Sequence, residues 1–241
     1  MTSRSLLPAA VLAMMMVWLP LTARPAWAAL NLEGQSGVFL NSLAYTLDPG
    51  RFEASNHHVN LDGLGSVTSF SLSTGLRDGV EVGMTRLTST VSGVKDQTVF
   101  LAKWQFAKER KSSPAAALWI ERRDLSGGEN STDFGISATK LTTLSKRPVV
   151  LDIGVRSTKA LGLGLFGFGT DRKLKLEGSA AVFLTPEFAA GVEFKQQIEA
   201  ETWKDIAFRY VASDNLNIDG GIADLGPGLG NQIALAATWS R

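Results

Sequence analysis

The chain has 241 residues, 44% of them hydrophobic, with 24 basic against 23 acidic side chains and no cysteine. A formal charge of +1 leaves no electrostatic footprint for nucleic acid, and the missing thiols exclude a disulfide scaffold and thiolate metal sites. Stability has to come from a sheet or a core.

Arg4 precedes a largely apolar run from Leu6 to Leu21, after which Ala26 and Ala28 stand in a small-x-small pattern. These features predict a secretory signal peptide over residues 1–28, cleaved near Ala28. A membrane-anchoring helix is the alternative, opposed by the short run and by Pro8 and Pro20. Cleavage takes away Arg4 and Arg24 and no acid, leaving 22 bases, 23 acids and a charge of −1. Beyond it, no apolar run reaches the roughly eighteen residues that a membrane helix needs.

Residues 29–52 come next, and Gly34 and Gly37 permit backbone turns that other residues disfavour. Two readings stay open for residues 30–50. One is a plug or gate folded into a lumen, with Gly34, Gly37 and Tyr45 as its candidate residues; the other is a periplasmic lead-in or an extra half-strand.

From residue 53 to 241 the pattern is of strands, predicted at 53–61, 67–76, 80–89, 97–108, 113–123, 131–142, 148–159, 173–184, 188–197, 202–212, 216–223 and 231–239. Most have nine to twelve residues, whereas strands of soluble proteins usually have about five or six and a tilted strand crossing a bilayer needs roughly nine to eleven. The connections alternate in size. One set is tight, at residues 77–79, 109–112, 144–147, 185–187 and 213–215; the other tends to be longer and richer in glycine, at 90–96, 124–130, 160–172 and 224–230, although 62–66 and 199–201 are short. Short periplasmic turns and longer outer loops are the habit of bacterial barrels. The predicted fold is therefore all-β, an antiparallel transmembrane β-barrel of about twelve strands, with ten to fourteen as the range.

A period of two sorts the side chains into faces. Val80, Phe100, Ile120, Ile136, Ile153, Val192, Ile206, Ile233 and Trp239 share one. Glu81, Lys103, Gln105, Glu121, Asp152, Arg156, Lys173, Lys175, Glu177, Glu193, Lys195, Gln197, Asp205 and Arg209 share the other. In a membrane barrel the first face meets lipid and the second lines the lumen. The near balance of charge allows pairing across strands, which predicts a lumen partly filled by salt bridges. Pairs such as Glu193 with Lys195, or Asp205 with Arg209, either brace the lumen or form a selectivity constriction for small polar solutes.

The last strand, ending at Trp239, resembles the aromatic-terminated strand that outer-membrane assembly machinery reads, with Ser240 and Arg241 following it. The segment Glu33 to Tyr45, and the distal stretches Leu184 to Phe194, Trp203 to Ala207 and Asn215 to Gly226, resemble a group of uncharacterised Gram-negative outer-membrane proteins related to the YjbH-like barrels. The resemblance covers about a third of the chain. It implies the barrel architecture and brings no activity or catalytic residue with it.

Chemistry-bearing motifs are sparse. The only histidines, His57 and His58, are strand neighbours and so point to opposite faces. Ser55 shares a face with His57, the bare minimum for a membrane-embedded hydrolase. There is no phosphate-cradling loop, metal-binding pair or nucleophile elbow, and no catalytic, metal or cofactor residue is assigned. The glycine-rich, apolar stretch from Leu161 to Gly169 is read as an outer loop that folds over the mouth, touches lipid or a partner, or simply prolongs its strands. The resulting expectation is a non-enzymatic outer-membrane barrel, a narrow pore or structural envelope component for small solutes. Its expected partners are outer-membrane lipid, the barrel assembly machinery and a small solute or envelope partner, with no nucleic acid. An accessory component of surface-polymer export or of a multi-protein complex, and the hydrolase built on His57, stand as alternatives.

Overall fold

The computed structural model describes residues 29–61, 64–198, 200–224 and 231–241. The expected signal peptide lies outside the described residues, as do parts of three outer loops, at 62–63, 199 and 225–230. Two short strands, β1 (Ala29–Leu30) and β2 (Ser36–Gly37), pair with each other. Twelve longer ones follow: β3 (Phe52–Leu61), β4 (Gly65–Arg77), β5 (Val80–Ser89), β6 (Gln97–Ala107), β7 (Ala115–Leu125), β8 (Asn130–Leu144), β9 (Arg147–Ala160), β10 (Phe168–Phe183), β11 (Phe188–Lys195), β12 (Trp203–Ser213), β13 (Leu216–Asp224) and β14 (Asn231–Ser240). Each is antiparallel to its chain neighbour, and β14 pairs with β3 to close a twelve-stranded barrel.

The expected strand count and order hold, and the bounds differ most at β10. It begins at Phe168 rather than Lys173, because Phe168 already pairs with Ala160 across an irregular register. Between β8 and β9, Ser145 and Lys146 both take positive φ, 50° and 68°. A two-residue hairpin loop needs that conformation to match the strand twist, yet neither residue advertises it as an Asn-Gly pair would.

Which way the two faces point is now decided by exposure. Phe100, Ile153, Leu174, Val192 and Ile206 are 47–73% exposed. Glu81, Glu121, Arg123 and Asp133 are fully buried inside. Val192, Ile206, Ile222 and Ile233 face one another across four successive strands, making a continuous outward apolar row. Water does not tolerate a shell of that kind around a charged centre, and lipid does. The barrel is inside-out relative to a soluble protein.

Within the barrel the filling is layered. Under the long-loop end lies an apolar cluster that includes Leu32, Leu40, Leu61, Val67, Leu163, Leu165 and Trp203. A smaller one near the short-turn end contains Leu43, Val150, Phe183 and Ala189. Between them sits a belt of buried charge.

Candidate functional site

The N-terminal segment 29–47 runs through the inside of the barrel, and nearly every residue of it is buried. It folds on itself through the β1–β2 pair and through Asn31, whose Oδ1 accepts from the N–H groups of Glu33 (3.0 Å) and Gln35 (2.9 Å). Gly34 takes φ +88°, and any Cβ there would collide with Thr85 Oγ1 and crowd Ser71. Glycine is needed at that position for both reasons. The wall opposite is built to receive it, since Ser69, Ser71, Ser73 and Thr85 are small and buried. Ser73 donates to the Gly34 carbonyl (2.7 Å) and Thr85 to that of Glu33 (2.9 Å). Gly37 has ordinary φ but lies against the Asn41 carbonyl, leaving no room for a side chain.

Glu33 is the only charged residue between positions 29 and 47. Its carboxylate accepts from Arg123 on one oxygen and from Lys195 on the other. Arg123 also meets Glu121 and Asp133 (Nε to Oδ2, 3.0 Å), while Lys195 lies 3.6 Å from Glu177 and donates to the Leu40 carbonyl at 2.9 Å. Burial by itself would raise the Glu33 pKa, but Lys195 and Arg123, with Arg156 beyond them, outweigh it and hold the carboxyl well below the usual range.

The wall grips the segment's backbone as well. Lys103 Nζ donates to the carbonyls of Ser36 (2.7 Å), Leu43 (3.0 Å) and Tyr45 (3.1 Å). Glu193 accepts from the N–H groups of Phe39 (2.8 Å), Leu40 (3.1 Å) and Asn41 (2.9 Å). Glu81 accepts from Ser36 N (2.9 Å), Leu47 N (3.0 Å) and the Ser36 hydroxyl. Thr139 Oγ1 accepts from Ala44 N (2.6 Å) and donates to Asp152 Oδ1 (2.5 Å). At the short-turn rim Tyr45 donates to Glu109 (2.5 Å), which Lys140 also holds (2.7 Å). Burial and that bond push the Tyr45 phenol up. Glu109 is held below its ordinary value: partial burial opposes the shift, and hydrogen bonds from Lys140 and Tyr45 outweigh it.

The residues predicted to line a lumen are distributed as follows. Glu81, Lys103, Glu121, Asp152, Arg156, Glu177, Glu193, Lys195, Gln197 and Asp205 are buried inside, and Gln105 and Arg209 are half-buried. Lys175 is half-buried and Lys173 is exposed at the outer rim, 3.9 Å from Asp171. The pairings expected within one strand do not form. Arg209 bonds Asp219 (2.6 Å) rather than Asp205, and Lys195 takes Glu33 and Glu177 rather than Glu193. Residues i and i+2 stand roughly 6.5 Å apart along a strand, whereas Arg209 with Asp219 and Lys195 with Glu177 are directly opposed across strands.

Glu33, Glu53, Arg123, Asp133 and Asp219 were missed as interior residues. All but Glu33 share the inward parity of their strands, so the period of two was signal enough; the lone charge in a neutral segment marked Glu33.

Over the outer mouth, the stretch from Leu161 to Gly167 forms a tight turn. Leu163 and Leu165 are buried beneath it, and Leu163 takes φ +60°, unusual for a branched residue. Gln97 Nε2 (2.9 Å) and Arg123 Nη1 (3.1 Å) both donate to its carbonyl and hold it there. Two cavities beside the segment measure about 40 and 30 Å³, room for a few water molecules each. His57 is buried with its ring edge-on to Phe39 at 5.5 Å, and His58 faces outward, 3.0 Å from Thr68 Oγ1.

Residues 121–234 match the family described as "Protein of unknown function (DUF3034)", a match spanning just under half of the chain. None of the curated proteins matches. Among solved structures, the KdgM porin superposes with a TM-score of 0.61 at 10% identity, over 78% of this chain and 98% of that one, and it has also been solved in complex with disordered oligogalacturonate. The NanC porin gives 0.53 at 12% identity, over 79% and 99%. At such identities the likeness is one of fold, and with the apolar exterior and charged interior it makes this chain an outer-membrane-type β-barrel.

Proposed function

We propose that the protein is a non-enzymatic, narrow pore for small solutes, exported by a signal peptide removed near Ala28 and held shut by residues 29–47 acting as a plug. The observation that carries the reading is the way this segment fills the lumen while being fastened by reversible bonds: ion pairs, N–H to carboxylate and ammonium to carbonyl. Apolar contacts of Leu32, Phe39, Leu40 and Leu43 add to this hold. The plug's polar fastening fits an element that leaves and returns. His57 packs against an aromatic ring rather than a nucleophile, which weighs against the hydrolase reading.

Conductance in planar bilayers tests it. The full chain should show rare, brief openings of defined size, and loosening the plug should lengthen them. Defined steps absent from both the full chain and plug-loosened variants would sink the pore reading and favour a sealed structural or accessory barrel, to which the apolar cap of Leu163 and Leu165 lends support. Kinship with the YjbH-like barrels rests on the sequence resemblance of residues 33–45 and the distal stretches; a structure of such a barrel without an N-terminal segment in its lumen would argue against it. Assembly by the outer-membrane machinery fits a terminal strand with Trp239 facing lipid.

A further inference from the structure

Resting on that reading, the wall behind the plug indicates what passes. Among the described residues, nine acidic side chains of the barrel strands are buried inside it, from Glu53 on β3 and Glu81 on β5 round to Asp205 on β12 and Asp219 on β13. Six basic ones answer them, Lys103, Arg123, Arg156, Lys195 and the half-buried Lys175 and Arg209. The wall therefore carries three more acids than bases, and counting Arg51, which pairs with Glu53 at the short-turn rim, still leaves an excess of two.

The closed barrel does not meet this excess with cations. Its plug contributes no base and one acid, Glu33. What it offers is neutral donors, mostly backbone: three N–H groups of residues 39–41 on Glu193, those of Ser36 and Leu47 with the Ser36 hydroxyl on Glu81, the Gln35 amide on Glu121, and Ala44 through Thr139 to Asp152. Asp205 lies directly across the strand pair from Glu193, so two acids adjoin where the plug turns. When the plug leaves, those donors leave with it and water enters. The carboxylates are then solvated and ionised inside a low-dielectric tube, where a ring of acids draws cations and repels anions.

We infer that the open pore is cation-selective, with Glu81, Glu193 and Asp205 as its selectivity-determining residues, and that its solute is a small cation or a cationic organic molecule. An acidic solute, such as the oligogalacturonate bound by the KdgM porin, would meet the wrong sign of wall here.

The test uses the full chain carrying Glu33→Gln, a change in the plug and not in the wall, under a tenfold KCl gradient across a planar bilayer. The expected K⁺ over Cl⁻ permeability ratio is about threefold or more. Adding Glu81→Gln, Glu193→Gln and Asp205→Asn should bring it toward one. Openings that pass both ions equally, that prefer Cl⁻, or whose preference ignores the three substitutions overturn this inference and leave the pore reading standing. Should the multiple variant lose the heat-dependent gel mobility of a folded barrel, each substitution is read singly, with a lowered ratio expected from at least Glu193→Gln. If neither the Glu33→Gln chain nor a variant lacking residues 29–47 shows channel steps, the pore reading itself falls, and the inference with it; if only the shortened barrel conducts, the same ion selectivity is read on that variant.

Discussion

Replacing Glu33 with glutamine keeps the side chain's shape and removes its charge from between Arg123 and Lys195. Both cations are buried, their side chains 0% and 2% exposed, and taking one partner from a buried ion pair costs about 3–5 kcal/mol. Each keeps other partners here: Arg123 has Glu121 and Asp133, and Lys195 has Glu177 and the Leu40 carbonyl. The low end, about 3 kcal/mol, is therefore expected, and at about 1.4 kcal/mol per decade the closed-to-open ratio falls roughly a hundredfold. Single-channel recording of the full chain, with a variant lacking residues 29–47 as the open reference, reads that ratio directly. The reasoning is refuted if Glu33→Gln stays as silent as the wild type while the shortened barrel conducts, because the ion pair would then contribute nothing to closure.

The same carboxyl sets a pH dependence. Its docked pKa lies below the free value of about 4.3, so its stabilisation of the plug is fully present above that pH and is lost as pH falls toward the docked value, by about 1.4 kcal/mol per unit. Closure owed to Glu33 should hold from pH 8 to 5 and weaken in more acid solution, and comparison of the wild type with Glu33→Gln should show that component vanish in the variant. Gly34→Val places a branched side chain at φ +88° against Thr85. Left-handed strain of about 1–2 kcal/mol with overpacking of about 1–3 should free the segment, seen as rapid proteolysis of residues 29–47 with the barrel intact; unchanged protection would contradict the fit described. Ile153→Arg puts a charge on the outward face, where Ile153 is 59% exposed. Near the bilayer midplane that costs about 2–4 kcal/mol, measurable as a lower denaturant midpoint for folding in lipid, and a variant as stable as the parent would place that face away from the acyl chains.

Strand existence, order and inward parity were legible because each depends on a period of two that any ten-residue window displays. Which face meets water is not a local property. Leu174 beside Lys175 reads alike in a soluble barrel and in a membrane one, and strand length had to break the tie. Interior pairing was misread for a related reason: Glu193 and Lys195 are neighbours in sequence, but the register brings Lys195 to Glu177 and Glu193 to Asp205. Register is set by the whole closed sheet, so a partner 18 positions away outranks one two positions away. Harder still was the path of residues 29–47. This stretch has little periodicity, and it lies inside because separate weak features converge there: Gly34 fits a wall of small residues, Glu33 fits two cations, and Glu193 fits three successive N–H groups. Each fit becomes visible only once the barrel exists to supply its other half. An acid-rich wall needs those donors as much as the segment needs the wall, so a substitution on either side, Glu193→Gln or Gly34→Val, should loosen the same contact, and together they should cost less than the sum of their separate effects.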